Sequence, residues 1–187
     1  MERFLSDKDL WVLIAGSSVG DHYKPLNLRG ACLEGAQLMG ADLSGANFSK
    51  ANLKNANLAN ANLSGAFLSE ATLDGANLSG ANLEGAVIIQ ASGIACIAKE
   101  TDFTDVNMSG SNFSETDFSD ADLTRVDMSK AMLKDCIFIR TNLFKSNLSE
   151  SDLSGSELDE ANFGKAYMNE TILYNVKNLE RTIGFKY

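Results

Sequence analysis

From Leu26 to Asn175 the sequence divides into thirty consecutive blocks of five residues, with none left over. Ala41-Asp42-Leu43-Ser44-Gly45, Ala46-Asn47-Phe48-Ser49-Lys50 and Ala51-Asn52-Leu53-Lys54-Asn55 show the rule. The third position is large and apolar in every block except those centred on Gly93 and Ala98. That is twenty-eight hits in thirty, in a chain only 44% hydrophobic. The first position is small: alanine from Ala31 through Ala91, then Cys96, Thr101, Val106, Ser111, Thr116 and similar residues. The second is most often Asn or Asp, and the last two are commonly Ser-Gly or include a charge.

This period excludes the two ordinary elements. Five residues advance a helix by about 500°, so successive centres drift by about 140° around its axis. A straight strand alternates faces at every residue, so an odd spacing throws neighbouring centres to opposite sides. One corner per block removes the conflict. The first three residues then form a short extended piece, with the first and third side chains inward and the middle one outward. The last two residues turn, and Ser-Gly suits a turn that needs positive φ at Gly. Corners of one hand make a solenoid whose coils stack through parallel backbone hydrogen bonds, about 4.8 Å apart. The only proline, Pro25, stands immediately before the first block. Proline lacks the N–H that each ladder position must donate.

The A(D/N)LXX pattern of these blocks resembles the pentapeptide-repeat family, over about four-fifths of the chain. The resemblance implies an all-β fold: a right-handed quadrilateral parallel β-helix with four repeats per coil. Side chains twenty residues apart then stack. Leu28, Phe48, Leu68, Ile88, Met108, Met128, Leu148 and Met168 become one interior column. The organisation expected is an N-terminal cap and linker at 1–25, the β-helix at 26–175, irregular at 88–99, and a C-terminal cap or dimerisation tail at 176–187.

Stacked coils leave apolar ends that need covers. Ser6-Asp7-Lys8-Asp9 reads as a helix N-cap. Leu10 through Ala15 reads as one short buried helix stopped at Gly16, with Trp11 covering the first coil. His22, the single histidine, falls in the linker. At the other end Tyr167, Ile172, Tyr174, Leu179, Ile183, Phe185 and Tyr187 cluster in sequence as a candidate dimer end. In the gyrase-directed branch of the family the C-terminal end forms the dimer, so the resemblance implies a homodimer. The alternative is a private cap on a monomer. Between Ile88 and Lys99 the coil either continues with a thin core or gives way to a ten-residue bulge. Cys96 in a small inward position favours continuation, with Ile94 or Ile97 drawn inward by a backbone shift.

No catalytic grouping is visible. The repeats hold no histidine to activate a serine. There is no phosphate loop, and the aspartates project from a convex rod rather than into a pocket. Neither an enzyme nor a cofactor is expected. Three cysteines without a CxxC or Cys/His grouping speak against a disulfide scaffold and structural zinc. Reduced thiols fit the cytoplasm. A secretory signal is not favoured, because the apolar run from Leu10 to Ala15 follows Asp7-Lys8-Asp9 rather than a basic stretch. That run is also far too short to span a membrane.

The outer surface remains. A net charge of −9 repels free nucleic acid and anionic membrane and suits a basic partner. Glu100, Asp102, Asp105, Glu115, Asp117, Asp120 and Asp122 form an acidic stretch with no basic residue among them, a candidate interaction patch. Arg125, Lys130, Lys134, Arg140 and Lys145 follow it, and Arg125, Lys145 and Lys165 fall in one column beside Asp105. Lateral apolar exceptions occur at Phe67, Val87 and Ile89, and at Ile137, Ile139 and Phe144. The first functional expectation is a non-catalytic scaffold that binds another protein. The alternative, implied by the quinolone-resistance branch of the family, is a DNA mimic that binds a type II topoisomerase, DNA gyrase. B-DNA carries one charge per ~1.7 Å, so a rod of ~36 Å would need about twenty net negative charges. This chain has nine, which favours the scaffold.

Overall fold

The computed structural model describes residues 6–17 and 25–185; His22 and Tyr187 lie outside the described residues. The repeats wind into a right-handed quadrilateral β-helix. Parallel bridges join each second-position residue to its counterpart twenty residues later, from Asn27 with Asn47 through Glu157 with Lys177. Four five-residue sides therefore close one coil. The faces are numbered here one to four by the second-position residue of the first coil: Asn27, Cys32, Gln37 and Asp42.

The block Ala61–Gly65 shows how the backbone is satisfied. The Leu63 N–H donates to the Asn82 carbonyl of the next coil at 2.6 Å, and that of Gly65 to the Glu84 carbonyl at 2.8 Å. The Asn62 N–H donates back to the Ala41 carbonyl of the preceding coil at 2.9 Å. The Ala61 N–H closes the previous turn on the Leu58 carbonyl at 3.0 Å. The remaining donor, Ser64 N–H, goes to the Asn62 side-chain oxygen at 3.2 Å. A short Asn or Asp side chain reaches the amide two residues on, so the second position holds these residues for a reason internal to the turn. The same bond recurs from Asp42, Asn47, Asn82, Asp102, Asp122 and Asp152.

The fifth residue has φ between 54° and 76° in all thirty repeats, whether or not it is glycine. Ser-Gly turns are therefore one version of a single turn that also accepts Lys, Glu, Asp, Arg, Asn, Gln and Ala. Placing an L side chain there costs about 1 kcal/mol.

First- and third-position side chains fill the interior. The third-position column from Leu28 to Leu148 is buried, and Met168 at the open end is half-buried. Where alanine gives way to Ser, Thr or Cys at the first position, most of the new groups repeat one hydrogen bond. Cys96, Thr101, Ser111, Thr116, Cys136, Thr141 and Ser156 each donate to the carbonyl twenty-three residues earlier. Two serines depart from this: the Ser151 hydroxyl donates to the Leu148 carbonyl of its own turn, and the buried Ser146 hydroxyl lacks a partner.

The frame continues unbroken through 88–99. The core there is not thin, because aromatic rings one coil later fill it. A Cβ on Gly93 would run into the Phe113 ring. Phe118 follows Ala98 by the same twenty residues and stacks on Phe138 with ring centroids 5.2 Å apart. No backbone shift draws the isoleucines inward: Ile97 is 44% exposed and Ile94 stays half-buried at a turn.

Helix α1 spans Asp7–Ser17, with Gly16 inside it rather than beyond its end. Ser6 and Asp9 cap it reciprocally: the Ser6 N–H donates to Asp9 Oδ2, and the Asp9 N–H to Ser6 Oγ. Only one stripe is buried, Leu10 and Ile14, four residues apart. These two cover the first coil. Trp11 stays 42% exposed and pairs an edge instead. Its Nε1–H donates to the Gln37 carbonyl at 3.1 Å while Asp7 Oδ1 accepts the Gln37 N–H at 3.1 Å. Together they replace the strand that would precede face three.

At the other end the ladder does not stop with the thirtieth repeat. The Lys177 N–H donates to the Ser156 carbonyl at 2.8 Å, and a single 3-10 turn follows at Leu179–Arg181. Ile183 then bridges Asn162, a separation of twenty-one, so the turn absorbs one extra residue. Phe185 meets Phe163 edge to face at 6.0 Å.

Inward and outward assignments predict opposite responses at adjacent residues. Leu63→Asp should abolish the cooperative thermal transition, because it buries an unpaired charge between coils. Asn62→Asp keeps the side-chain acceptor and should cost within about 1 kcal/mol. A circular-dichroism melt in which Asn62→Asp proved the more damaging change would reverse the assignment.

Candidate interaction surface

The seven residues of the acidic stretch do not share one face. Asp102 and Asp122 lie on face four with Asp42. Asp117 lies on face three. The fifth-position residues occupy corners: Glu100 and Asp120 between faces three and four, Asp105 between four and one, and Glu115 between two and three. Three of the seven are neutralised by the coil above or below. Asp105 takes both forks of Arg125, and Asp120 both forks of Arg140. Lys99 reaches Asp117 at 2.9 Å.

The guanidinium of Arg125 holds the Asp105 carboxyl below the usual range, and Arg140 does the same to Asp120. At Asp117 burial pushes upward, but the Ser119 hydroxyl and Lys99 outweigh it, and the net direction is down. Further cross-coil pairs join Lys50 to Glu70, Lys130 to Glu150 and Lys134 to Asp152. The lysines are exposed, and each pair contributes little by itself. Asp102 and Asp122 pair with no cation among the described residues. Each lends one oxygen to its own turn, on Thr104 and Thr124.

The residues of the candidate dimer end separate in the same way. Tyr167 projects from face one, Ile172 from face two and Ile183 from face four, with Tyr174 on the turn after face two. All four are half or more exposed. Leu179 and Phe185 instead pack against the core. The clustered sequence thus becomes a ring of apolar side chains around the last coil and a partial plug inside it. Among the described residues the end itself is open. Met168, Leu173 and Val176 are half-buried there, and the amides of Met168 and Leu173 have no backbone partner among the described residues. A recess of about 350 Å³ between Phe163, Met168 and Phe185 marks the opening.

One constellation escaped the sequence reading. Phe144 is a lateral apolar exception and Lys145 and Lys165 share a corner column, but their contact is a tertiary fact. Lys145 Nζ lies 5.4 Å and Lys165 Nζ 5.6 Å from the centre of the Phe144 ring. The twenty-residue offset of Lys145 and Lys165 was the signal that could have found it.

A family model for pentapeptide repeats matches eight copies, within residues 26–88 and 101–175. The chain belongs to the pentapeptide-repeat family. Among solved structures, this pentapeptide-repeat chain is similar to HetL, a pentapeptide repeat protein involved in heterocyst differentiation regulation from the cyanobacterium Nostoc sp. strain PCC 7120. The identity is 27% over 84% of this chain and 76% of that one, with a TM-score of 0.72. It also shares its fold with a trypsin-treated variant of QnrB1, a plasmid-mediated fluoroquinolone resistance protein. There the identity is 20% over 86% of this chain and 84% of that one, with a TM-score of 0.59. No curated protein matches the chain. Among the described residues no helix is long and apolar enough to cross a membrane, and no group of His, Cys, Asp and Glu is placed to hold a metal ion.

All three cysteines are free; Cys96 and Cys136 are buried and Cys32 is partly exposed on face two. Burial pushes both inner thiols up to about 12, so neither supplies thiolate near neutrality. Titration of the folded protein at pH 8 with a thiol reagent should consume one equivalent rapidly, lost in Cys32→Ser, and the other two only on denaturation. Rapid reaction of three equivalents would contradict the packing.

Proposed function

We propose that the chain is a non-catalytic scaffold that acts by binding another protein through its outer faces, in a cytoplasmic setting that keeps its thiols reduced. The observation that carries this reading is the fate of the polar side chains. Second-position Asn and Asp close their own turns, and most fifth-position charges pair coil to coil. Among the described residues no activated nucleophile, acid and base converge. Stacked repeats typically bind partners along extended surfaces. The description of HetL as involved in regulation supports a partner-directed role over a chemical one.

A second reading is DNA mimicry toward DNA gyrase. The fold shared with a fluoroquinolone resistance protein and the carboxylates of Asp42, Asp102 and Asp122 along face four favour it. Neutralisation of Asp105, Asp117 and Asp120 weighs against it. In a gyrase supercoiling assay, a tenfold molar excess of the protein should leave the rate unchanged. Inhibition, or protection of gyrase from a quinolone, would replace the scaffold reading with the mimic.

We expect homotypic contact at the C-terminal end, where half-buried Met168, Leu173 and Val176 lie beside the Met168 and Leu173 amides, which have no backbone partner among the described residues. An open strand edge invites pairing. Sedimentation should give a particle near twice 20.1 kDa that becomes monomeric in Met168→Glu. A full chain that stays monomeric at high concentration would make the tail a private cap. Truncation after Asn175 is a poorer test, because it also removes the Ile183 bridge and Phe185.

A further inference from the structure

We infer that the corner between faces four and one, at the C-terminal end of the rod, is a docking site for an acidic peptide segment of a partner protein. This rests on the scaffold reading above and names the site and the chemistry of what it takes.

The corner column runs Asp105, Arg125, Lys145, Lys165 at one-coil intervals. Arg125 is folded back onto Asp105. Lys145 and Lys165 are exposed and have no carboxylate partner among the described residues. On this chain of net charge −9, Lys50, Lys99, Arg125, Lys130, Lys134, Arg140 and Arg181 are paired. Lys8, Arg29, Lys54 and Lys177 also lack a carboxylate partner among the described residues, but only Lys145 and Lys165 of these stack on adjacent coils of one corner column. Two like charges on adjacent coils repel, yet both ammonium groups converge on the Phe144 ring. A ring face attracts cations and holds the two side chains together.

Gly164 makes room for that ring. A Cβ there would sit 3.0 Å from Phe144 Cδ2, so a larger residue would displace the platform. Gly164 has no positive φ to explain it; close approach of the ring does.

Beside the platform, face one carries an open recess of about 430 Å³ lined by Arg125, Asp127, Lys145, Asn147 and Tyr167 among others. Tyr167 is 64% exposed and offers an apolar wall. The one carboxylate in the recess, Asp127, is engaged by the Ser129 N–H at 3.0 Å and by Asn147 Nδ2 at 3.1 Å. Two uncompensated cations, an aromatic wall and a recess suit a short segment with neighbouring carboxylates and an apolar side chain. A nucleic acid is disfavoured, because the two cations of this corner neutralise too few phosphates to overcome the acidic remainder of the rod.

The test uses the full chain, labelled with nitrogen-15, and a synthetic ten-residue peptide of alternating Glu and Leu. Inorganic phosphate, a twelve-base-pair DNA duplex and a Lys/Leu peptide run in parallel. Saturable amide shifts should centre on Phe144, Lys145, Ser149, Lys165 and Tyr167. Affinity should fall at least tenfold in Lys145→Gln/Lys165→Gln and decline as salt rises. Lys145→Arg/Lys165→Arg should retain binding, and thermal midpoints should stay unchanged. Equal affinity of the Gln double variant, or equally tight binding of phosphate or duplex at this corner, would overturn the proposal. Peptide shifts that map to Lys50, Lys54 or Lys177 instead would remove this site while leaving the scaffold reading standing.

Discussion

Every amide of the repeat has to find an acceptor, and the five-residue period is the shortest statement of how each one does. Three N–H groups go to the coil above or below, one closes the turn, and the fourth residue's donates to the Asn or Asp before it. A buried amide left without a partner costs about 1–3 kcal/mol, and thirty repeats multiply that demand. The register of twenty, the corner at every fifth residue and the Asn/Asp preference therefore form one constraint. Where the second residue is Phe67, Val87, Ile97, Met132 or Tyr167, the local acceptor is absent and an apolar group stands on the face instead. These exceptions mark where a face does something other than close its own backbone.

The same constraint governs the charges. Left-handed backbone at the fifth position points side chains of adjacent coils along a common corner, so a charge meets its neighbour twenty residues away rather than its neighbour in sequence. Lys50 with Glu70, Asp105 with Arg125, and Asp120 with Arg140 are such pairs. An acidic stretch read along the chain is therefore a poor guide to an acidic surface. Glu100 to Asp122 wraps over two faces and three corners, and part of its charge is cancelled from above. The cations at Lys145 and Lys165 follow the same rule: twenty residues on from Lys145 the corner column offers another lysine rather than a carboxylate.

Much of the fold was legible because the twenty-residue ladder makes tertiary neighbours predictable from position alone. The inward columns, the outward Asn/Asp column of face four and the protected cysteines all follow from counting. The weakened stretch at 88–99 was legible in principle too: Gly93 and Ala98 are each followed, one coil later, by a phenylalanine that fills the space. The ends were less legible. Beyond Asn175 a 3-10 turn inserts one residue and breaks the count, and α1 is held by contacts without any repeat. Trp11 looked like a lid because it is large, but its indole N–H serves an edge carbonyl while Leu10 and Ile14 do the covering.

The sequence by itself determined a solenoid with a corner in every five residues, its inward columns and its outward positions, because a strict period leaves the backbone few ways to satisfy its hydrogen bonds. The four-sided, right-handed form of that coil came with the family resemblance that the repeats carry. The sequence also determined that no histidine stands among the repeats to activate a serine. Only the tertiary structure decided which charges survive on the surface, how the apolar end residues divide between a ring and a plug, and that Phe144 gathers two lysines over Gly164. Those outcomes depend on side-chain direction at corners and ends. There the period stops dictating geometry, and packing between coils takes over.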